Sequence, residues 1–302
     1  MPALLLTDTG LETWLVFHRG VDLPHFAAFP LLDSESGRSL LAEYFEDHVR
    51  IAETSGTGIV LETPTWRANP DWGRQLGYDL AALDRVNREA VAFVRHVSGG
   101  FPSVPVIVSG NIGPRGDGYS PDTLLAPADA AAYHRPQIDS FLAAGADRVT
   151  MLTATHAGEA AGVVTAAADA GIPVIVSFTV ETDGRLPSGQ LLHEAVAEVD
   201  SITAGAALGF GVNCAHPDHF ASALDADPEV IGRITLVRAN ASRASHAELD
   251  EAEELDDGDP DELAQLYANL VRQHPHFEVL GGCCGTDTRH AEAIARACVI
   301  AS

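Results

Sequence analysis

Two adjacent cysteines, Cys283 and Cys284, close the run Val279-Leu280-Gly281-Gly282-Cys283-Cys284-Gly285. The chain has 302 residues and only four cysteines. A third, Cys214, ends another apolar run, Leu208-Gly209-Phe210-Gly211-Val212-Asn213. Thiolates hold zinc at about 2.3 Å in tetrahedral array, and three protein ligands leave one position open, the catalytic arrangement. A thiol entering that position is deprotonated outright. Three cysteine thiolates already exceed the metal's charge, so the added sulfur stays electron-rich. It can attack a methyl group on a sulfonium or an ammonium. Zinc used this way makes a sulfur nucleophile, unlike zinc that activates water. Adjacent residues on an extended chain point apart, so Gly281, Gly282 and Gly285 are expected to permit a sharp turn. Two blander readings remain open at this level: small buried core residues, or a strained disulfide between neighbours. Cys298, alone in a helical pattern, reads as core.

The rest of the chain has to bring these distant positions together. Short apolar runs alternate with helical patterns: Leu4–Thr7, Gly58–Leu61, Val104–Ser109, Asp147–Thr153, Pro173–Phe178, Leu208–Asn213, Ile234–Val237 and Phe277–Leu280. Helical spacing marks Ser39–Ser55, Asp79–Val97, Pro127–Ala144, Glu159–Ala170, Leu191–Ala204 and Arg289–Ile300. Alternation of this kind implies parallel strands joined by crossover helices. A count of eight runs predicts one α/β domain, a single (β/α)8 TIM barrel. Chemistry in such barrels sits where strands end and βα loops begin. Asp8, Glu62, Thr63, Asn111, Cys214, Cys283 and Cys284 all fall at such places.

Composition narrows the partners. The formal net charge is −25, which repels nucleic acid and anionic membrane. No apolar run reaches the length of about 18 residues that suggests a membrane span. The opening Met1-Pro2-Ala3-Leu4-Leu5-Leu6 lacks a basic segment and reads as a buried strand, not a signal peptide. The expected setting is the cytoplasm, with reduced thiols that serve metal or catalysis rather than disulfides. The expected partners are small molecules, with a homo-oligomer left open. No phosphate-loop pattern suggests a nucleotide cofactor. The acidic run between Ala244 and Leu270 reads as a solvated loop and helix start, since it does not match a calcium loop.

These residues together resemble the homocysteine S-methyltransferases, zinc-dependent (β/α)8 barrels that move a methyl group onto a thiol. Gly211-Val212-Asn213-Cys214 resembles the family's G-x-N-C, and Gly281-Gly282-Cys283-Cys284-Gly285 its G-G-C-C-G. Asp8-Thr9-Gly10-Leu11-Glu12-Thr13 resembles D-G-G-x-x-T, and Gly110-Asn111-Ile112-Gly113-Pro114 resembles G-S-I-G-P. Ser177-Phe178 matches the S-F after strand five. The likeness spans almost the whole chain, as one homocysteine-binding-type domain over residues 1–302. It implies that Cys214, Cys283 and Cys284 bind Zn2+ and that Asp8 helps hold an amino-acid substrate. By analogy with short members of the family, it implies a small sulfonium donor such as S-methylmethionine and homocysteine as the thiol, giving methionine. No general acid or base is implied, because the zinc-bound thiolate is the nucleophile.

Thr9 stands where the opening motif has a glycine, and two further departures matter. Pro64 stands where E-T-N-T has asparagine, and Leu152 stands where an E-T pair binds the amino group of homocysteine. A leucine cannot pair with an ammonium, so either another carboxylate substitutes or the acceptor is a different thiol. A zinc- or thiol-binding barrel without turnover is a further alternative. Glu62 is read as a ligand contact or a strand-end cap, and Asn111 as pocket lining or turn closure. Trp66 and Trp72 are read as loop packing or as faces for a cationic donor. His216 and His219 follow Cys214 closely but are not needed as ligands.

Overall fold

The computed structural model describes residues 4–119, 124–252 and 254–299. Eight parallel strands close into a barrel in chain order. They are β1 (Leu5–Thr7), β2 (Gly58–Glu62), β3 (Val106–Ile112), β4 (Arg148–Ala154), β5 (Val174–Phe178), β6 (Gly209–Asn213), β7 (Ile234–Ala239) and β8 (Val279–Gly282). β8 closes on β1, with Leu5 opposite Val279 and Leu6 opposite Leu280. The expected (β/α)8 barrel is the observed fold.

The outer layer is formed by α1 (Glu35–Ser55), α2 (Leu80–Ser98), α3 (Pro127–Ala144), α4 (Ala157–Ala170), α5 (Leu192–Thr203), α6 (Pro260–Gln273) and α7 (Thr288–Ile294). Local chemistry sets their ends. Ser34 and Asp79 accept the amides of Gly37 and Ala82 at the starts of α1 and α2. Gly145 and Gly171 take left-handed backbone after α3 and α4. Between β6 and β7 the crossover holds only short turns, Pro217–Phe220, Ala221–Asp225 and Pro228–Ile231. The closing helix expected over Arg289–Ile300 becomes α7 followed by a π-helical turn, Ala295–Val299, with Ile300 outside the described residues. The first three residues of the opening run also lie outside them. Among the described residues, no helix is long and apolar enough to cross a membrane.

One extensive apolar layer lies between strands and helices. A small separate cluster of Val60, Leu236 and Val279, backed by Leu5 and Ile107, plugs one level of the barrel. Beyond it toward the strand C-termini come polar side chains: Thr7, Glu62, Ser109, Arg148, Thr150 and Arg238, all buried. This explains why hydrophobic patterning cut several strands short. β3 runs on through Ser109-Gly110-Asn111-Ile112, β7 through Arg238-Ala239 and β8 through Gly281-Gly282. The apolar signal stops where the site begins.

The acidic stretch after β7 corrects its sequence reading. Its helix start is as expected, with Asp259 accepting the amides of Asp261 and Glu262 ahead of α6. It is not simply solvated, however. A short helix, His246–Asp250, and the residues Leu249, Asp250, Ala252, Glu254, Leu255 and Asp256 form part of the cavity wall at the barrel mouth. Glu253 lies outside the described residues.

Candidate metal centre and substrate cavity

β6 and β8 flank β7, so Cys214 and Cys283-Cys284 leave the barrel two strands apart on one face. The sulfurs of Cys214, Cys283 and Cys284 lie within 4.8 Å of one another. A tetrahedral site with bonds of about 2.3 Å would space its sulfurs about 3.8 Å apart. The Cα atoms of Cys214 and Cys283 are 5.4 Å apart, within disulfide range, and their sulfurs lie close together. Neither Cys284 nor Cys298 is part of that pair. This approach links strands rather than neighbours. Only the reduced form can offer three sulfurs to a metal.

The glycines divide their work. Gly285 takes φ +78° and makes the turn. Gly281 and Gly282 remain in β8, where a Cβ would strike Thr7 and Thr286. Those two are required for space, not for a turn. Burial pushes the Cys284 thiol up to about 11, opposed by the Tyr119 hydrogen bond and reinforced by Glu12 and Asp250. Its surroundings therefore do not supply the positive charge that a thiolate needs. A thiophilic divalent cation would, and this donor set fits one.

The cluster is braced by strained backbone. Cys214 has φ +54° and Thr153 φ +63°, a region that non-glycine residues rarely occupy. Asn213 holds both loops: its Oδ1 accepts the Thr153 amide at 2.8 Å and its Nδ2 donates to Thr153 Oγ1 at 2.9 Å. The β4–β5 register shifts between Met151 and Ala154, the interval that holds Thr153. His246 Nε2 donates to the Cys214 carbonyl at 2.7 Å, while Nδ1 faces Glu181 at 3.1 Å. The Tyr119 ring stacks on His246, centroids 4.0 Å apart. Asn213 and Thr153 were legible only as letters of motifs, and Tyr119 and His246 carried no signal of their own.

A cavity of about 670 Å³ opens in front of the sulfurs, lined also by Asp8, Glu12, Glu62, Thr63, Arg67, Asn111, Leu152 and Arg238. All the expected site residues thus border one space. Asp8 is buried and paired with Arg238 Nη1 through Oδ1 at 2.8 Å. Arg238 also donates to Gly282 O, Thr7 Oγ1 and Thr9 O. This buried arginine on β7 was not anticipated from the sequence. Glu62 is 2% exposed, and neither carboxylate oxygen has a hydrogen-bond partner. Its nearest cation is Arg148, at 3.9 Å. Burial pushes the Glu62 carboxyl up, while Arg148 opposes the shift. Thr63 Oγ1 accepts the Asn111 amide at 2.9 Å and lies 2.7 Å from Thr65 Oγ1. Asn111 therefore both closes the turn and lines the cavity, with a buried Oδ1 that has no partner.

Leu152 lines the cavity where the family has a carboxylate. Glu12, unremarked in the sequence reading, supplies one on another wall. Burial pushes it from an ordinary 4.5 up to about 7, with Asp8 adding to the shift and its own backbone, Arg238 and Arg67 opposing. Trp66 and Trp72 are engaged by the chain itself. The Arg67 guanidinium lies 4.1 Å from one ring centroid and 4.0 Å from the other. His216 and His219 are held elsewhere, His216 Nδ1 by the Asp218 amide and His219 Nε2 at 3.1 Å from Arg243 O.

A closed parallel barrel with clustered cysteines facing a cavity at its strand C-termini defines a barrel enzyme of sulfur chemistry. The chain matches the homocysteine S-methyltransferase family over residues 5–298 and belongs to it. It is a thiol S-methyltransferase. Three solved structures of the homocysteine methyltransferase MmuM from Escherichia coli share its fold. The oxidised form is 22% identical, with TM-score 0.77 over 97% of this chain and 95% of that one. The metallated form is 21% identical, with TM-score 0.75 over 97% and 96%. The apo form is 20% identical, with TM-score 0.69 over 98% and 96%. No curated protein sequence matches the chain.

Proposed function

We propose that the chain is a zinc-dependent S-methyltransferase acting as one domain in the cytoplasm, with Cys214, Cys283 and Cys284 as the metal ligands. The observation that carries this reading is the approach of the three sulfurs to within 4.8 Å at the cavity floor. The metallated form of the related E. coli enzyme supports it. Bound zinc supplies one thing: it keeps a ligated thiol deprotonated at neutral pH. The chain's residues do the rest. Asp8, fixed by Arg238, and Glu62, Thr63 and Asn111 orient the acceptor, while the cavity walls exclude water from its sulfur. That sulfur attacks the donor's methyl carbon. One C–S bond forms as the donor's breaks, and the electron pair leaves with the thioether. No proton moves in this step, so no general acid or base is assigned.

The donor is a small sulfonium such as S-methylmethionine, and the cavity's surplus of carboxylates suits its charge. The acceptor is homocysteine, giving methionine. A different thiol is the second reading, favoured by Leu152 in the cavity wall. The test is metal content of the reduced protein and of Cys214→Ser, Cys283→Ser and Cys284→Ser, with methyl transfer assayed over a panel of thiols. Each substitution is expected to remove most of the metal and the transfer with it. Near-stoichiometric zinc in all three variants would end the metal reading. Preference for a thiol without an amino group would end the homocysteine reading.

A further inference from the structure

The reaction poses a problem of selectivity. The protein's cysteine sulfurs sit beside the very methyl group they must not take. Self-methylation would follow the same chemistry: a cysteine thiolate attacks the methyl carbon, a C–S bond forms, and the leaving group departs with its electron pair. The resulting thioether is a poor zinc ligand, and the site would be lost.

Each of the three sulfurs has a side-chain hydrogen-bond partner, and the three partners come from different strand ends. Thr153 Oγ1, on β4, donates to Cys214 Sγ at 3.8 Å. Asn213 Nδ2, on β6, donates to Cys283 Sγ at 3.9 Å. Tyr119 Oη, after β3, lies 3.6 Å from Cys284 Sγ. A thiolate has no proton to give, so in the working state the phenol donates. Asn213 and Thr153 also form a relay, since Asn213 Nδ2 donates to Thr153 Oγ1 as well. Hydrogen bonds to a metal-bound sulfur draw charge from its lone pairs and tune what the ligand can do.

We propose that Tyr119, Asn213 and Thr153 are selectivity residues, each quieting one cysteine sulfur so that the acceptor's sulfur is the most nucleophilic one in the site. The proposal rests on the zinc-thiolate reading above. It gives the strained conformations at Thr153 and Cys214 a purpose, because they aim a hydroxyl and a sulfur at each other. It also gives the Tyr119–His246 stack one: the stack holds the phenol over Cys284 while His246 holds the Cys214 carbonyl.

The experiment uses the reduced, zinc-loaded protein without acceptor thiol, exposed to methyl iodide, a neutral methylating probe. Mass spectrometry of peptides reads S-methylation at Cys214, Cys283 and Cys284 separately, with metal content measured in parallel. Tyr119→Phe keeps the ring and its stack, and should raise methylation of Cys284 about tenfold, with Cys214 and Cys283 little changed. Thr153→Val should move the effect to Cys214. A cobalt-substituted sample adds a second readout, because Tyr119→Phe should shift the thiolate-to-metal charge-transfer band. Equal methylation of Cys284 in the parent and in Tyr119→Phe, with zinc retained in both, overturns the proposal and leaves the proposed function standing. Failure of the parent to hold zinc overturns both.

Discussion

On the sulfur side of the cavity, Cys214, Cys283, Cys284, Asn213, Thr153 and Arg238 all have partners. Across from them, at the ends of β2 and β3, both oxygens of Glu62 and the Oδ1 of Asn111 are buried with none. Leu152, at the end of β4, adds an apolar wall. A buried acceptor left unpaired costs about 1–3 kcal/mol. The sulfur side is therefore organised before any substrate arrives, whereas the opposite side gains from a ligand or water that brings hydrogen-bond donors. Metal chemistry needs fixed sulfur positions, while the pocket that names the substrate can differ between members of one family. The departures at Pro64 and Leu152 lie on the second side, while Thr9, in place of a family glycine, lies against Arg238 on the first.

Three substitutions probe that contrast. The largest effect is expected at Arg238, whose removal leaves Asp8 as an uncompensated buried charge. Arg238→Met should destabilise the fold by about 3–5 kcal/mol, read from urea unfolding. A loss below about 1 kcal/mol would mean that Asp8 is solvated from the cavity, and the sulfur side would no longer count as pre-organised. Next comes Asn213→Ala, which strips the Thr153 amide of its acceptor and should cost about 1–3 kcal/mol. It should also weaken zinc retention in competition with a chelator. Unchanged retention would show that the cysteines hold their places unaided.

The smallest effect belongs to Glu12 and depends on pH. Its carboxyl ionises near an ordinary 4.5 when unfolded and near about 7 in the fold. Between those values the unfolded chain binds fewer protons, so stability falls as pH rises through the window and levels off above it. The groups that face Glu12 do not reverse this sign: Asp8 reinforces it, while Arg238 and Arg67 only reduce it. Glu12→Gln should flatten that part of the stability curve. Parallel unfolding midpoints for the two proteins across pH 4.5 to 7 would mean that Glu12 is solvated and meets no burial cost.

Much of this was readable from the chain. Strand and helix periodicity is a local property, so the alternation of β1 to β8 with their helices followed from spacing. The cysteines stood out because few residue types can bind a soft metal, and Gly281-Gly282-Cys283-Cys284-Gly285 announces itself by composition. Other features had no local signature. Arg238 looks like any strand-end arginine until β7 closes beside β8 and sets it against Asp8, 230 positions earlier in the chain. Tyr119 lies in a loop and His246 opens a short helix, and neither sequence says anything about stacking. Trp66 and Trp72 were readable as loop packing or as faces for a cation, and only folding put Arg67 between their rings. The acidic run after β7 looked solvated because charge is read residue by residue, whereas lining a cavity depends on where the barrel mouth lies.

By itself the sequence determined the barrel, the three sulfurs and the kind of chemistry they serve, since each follows from residue type and short-range spacing. Tertiary structure alone decided which groups hold those sulfurs, that Cys214 and Cys283 come close enough to pair, and which acceptors in the pocket stand unpaired. Those outcomes depend on contacts between residues far apart in the chain, created where β6, β7, β8 and β1 pair in turn.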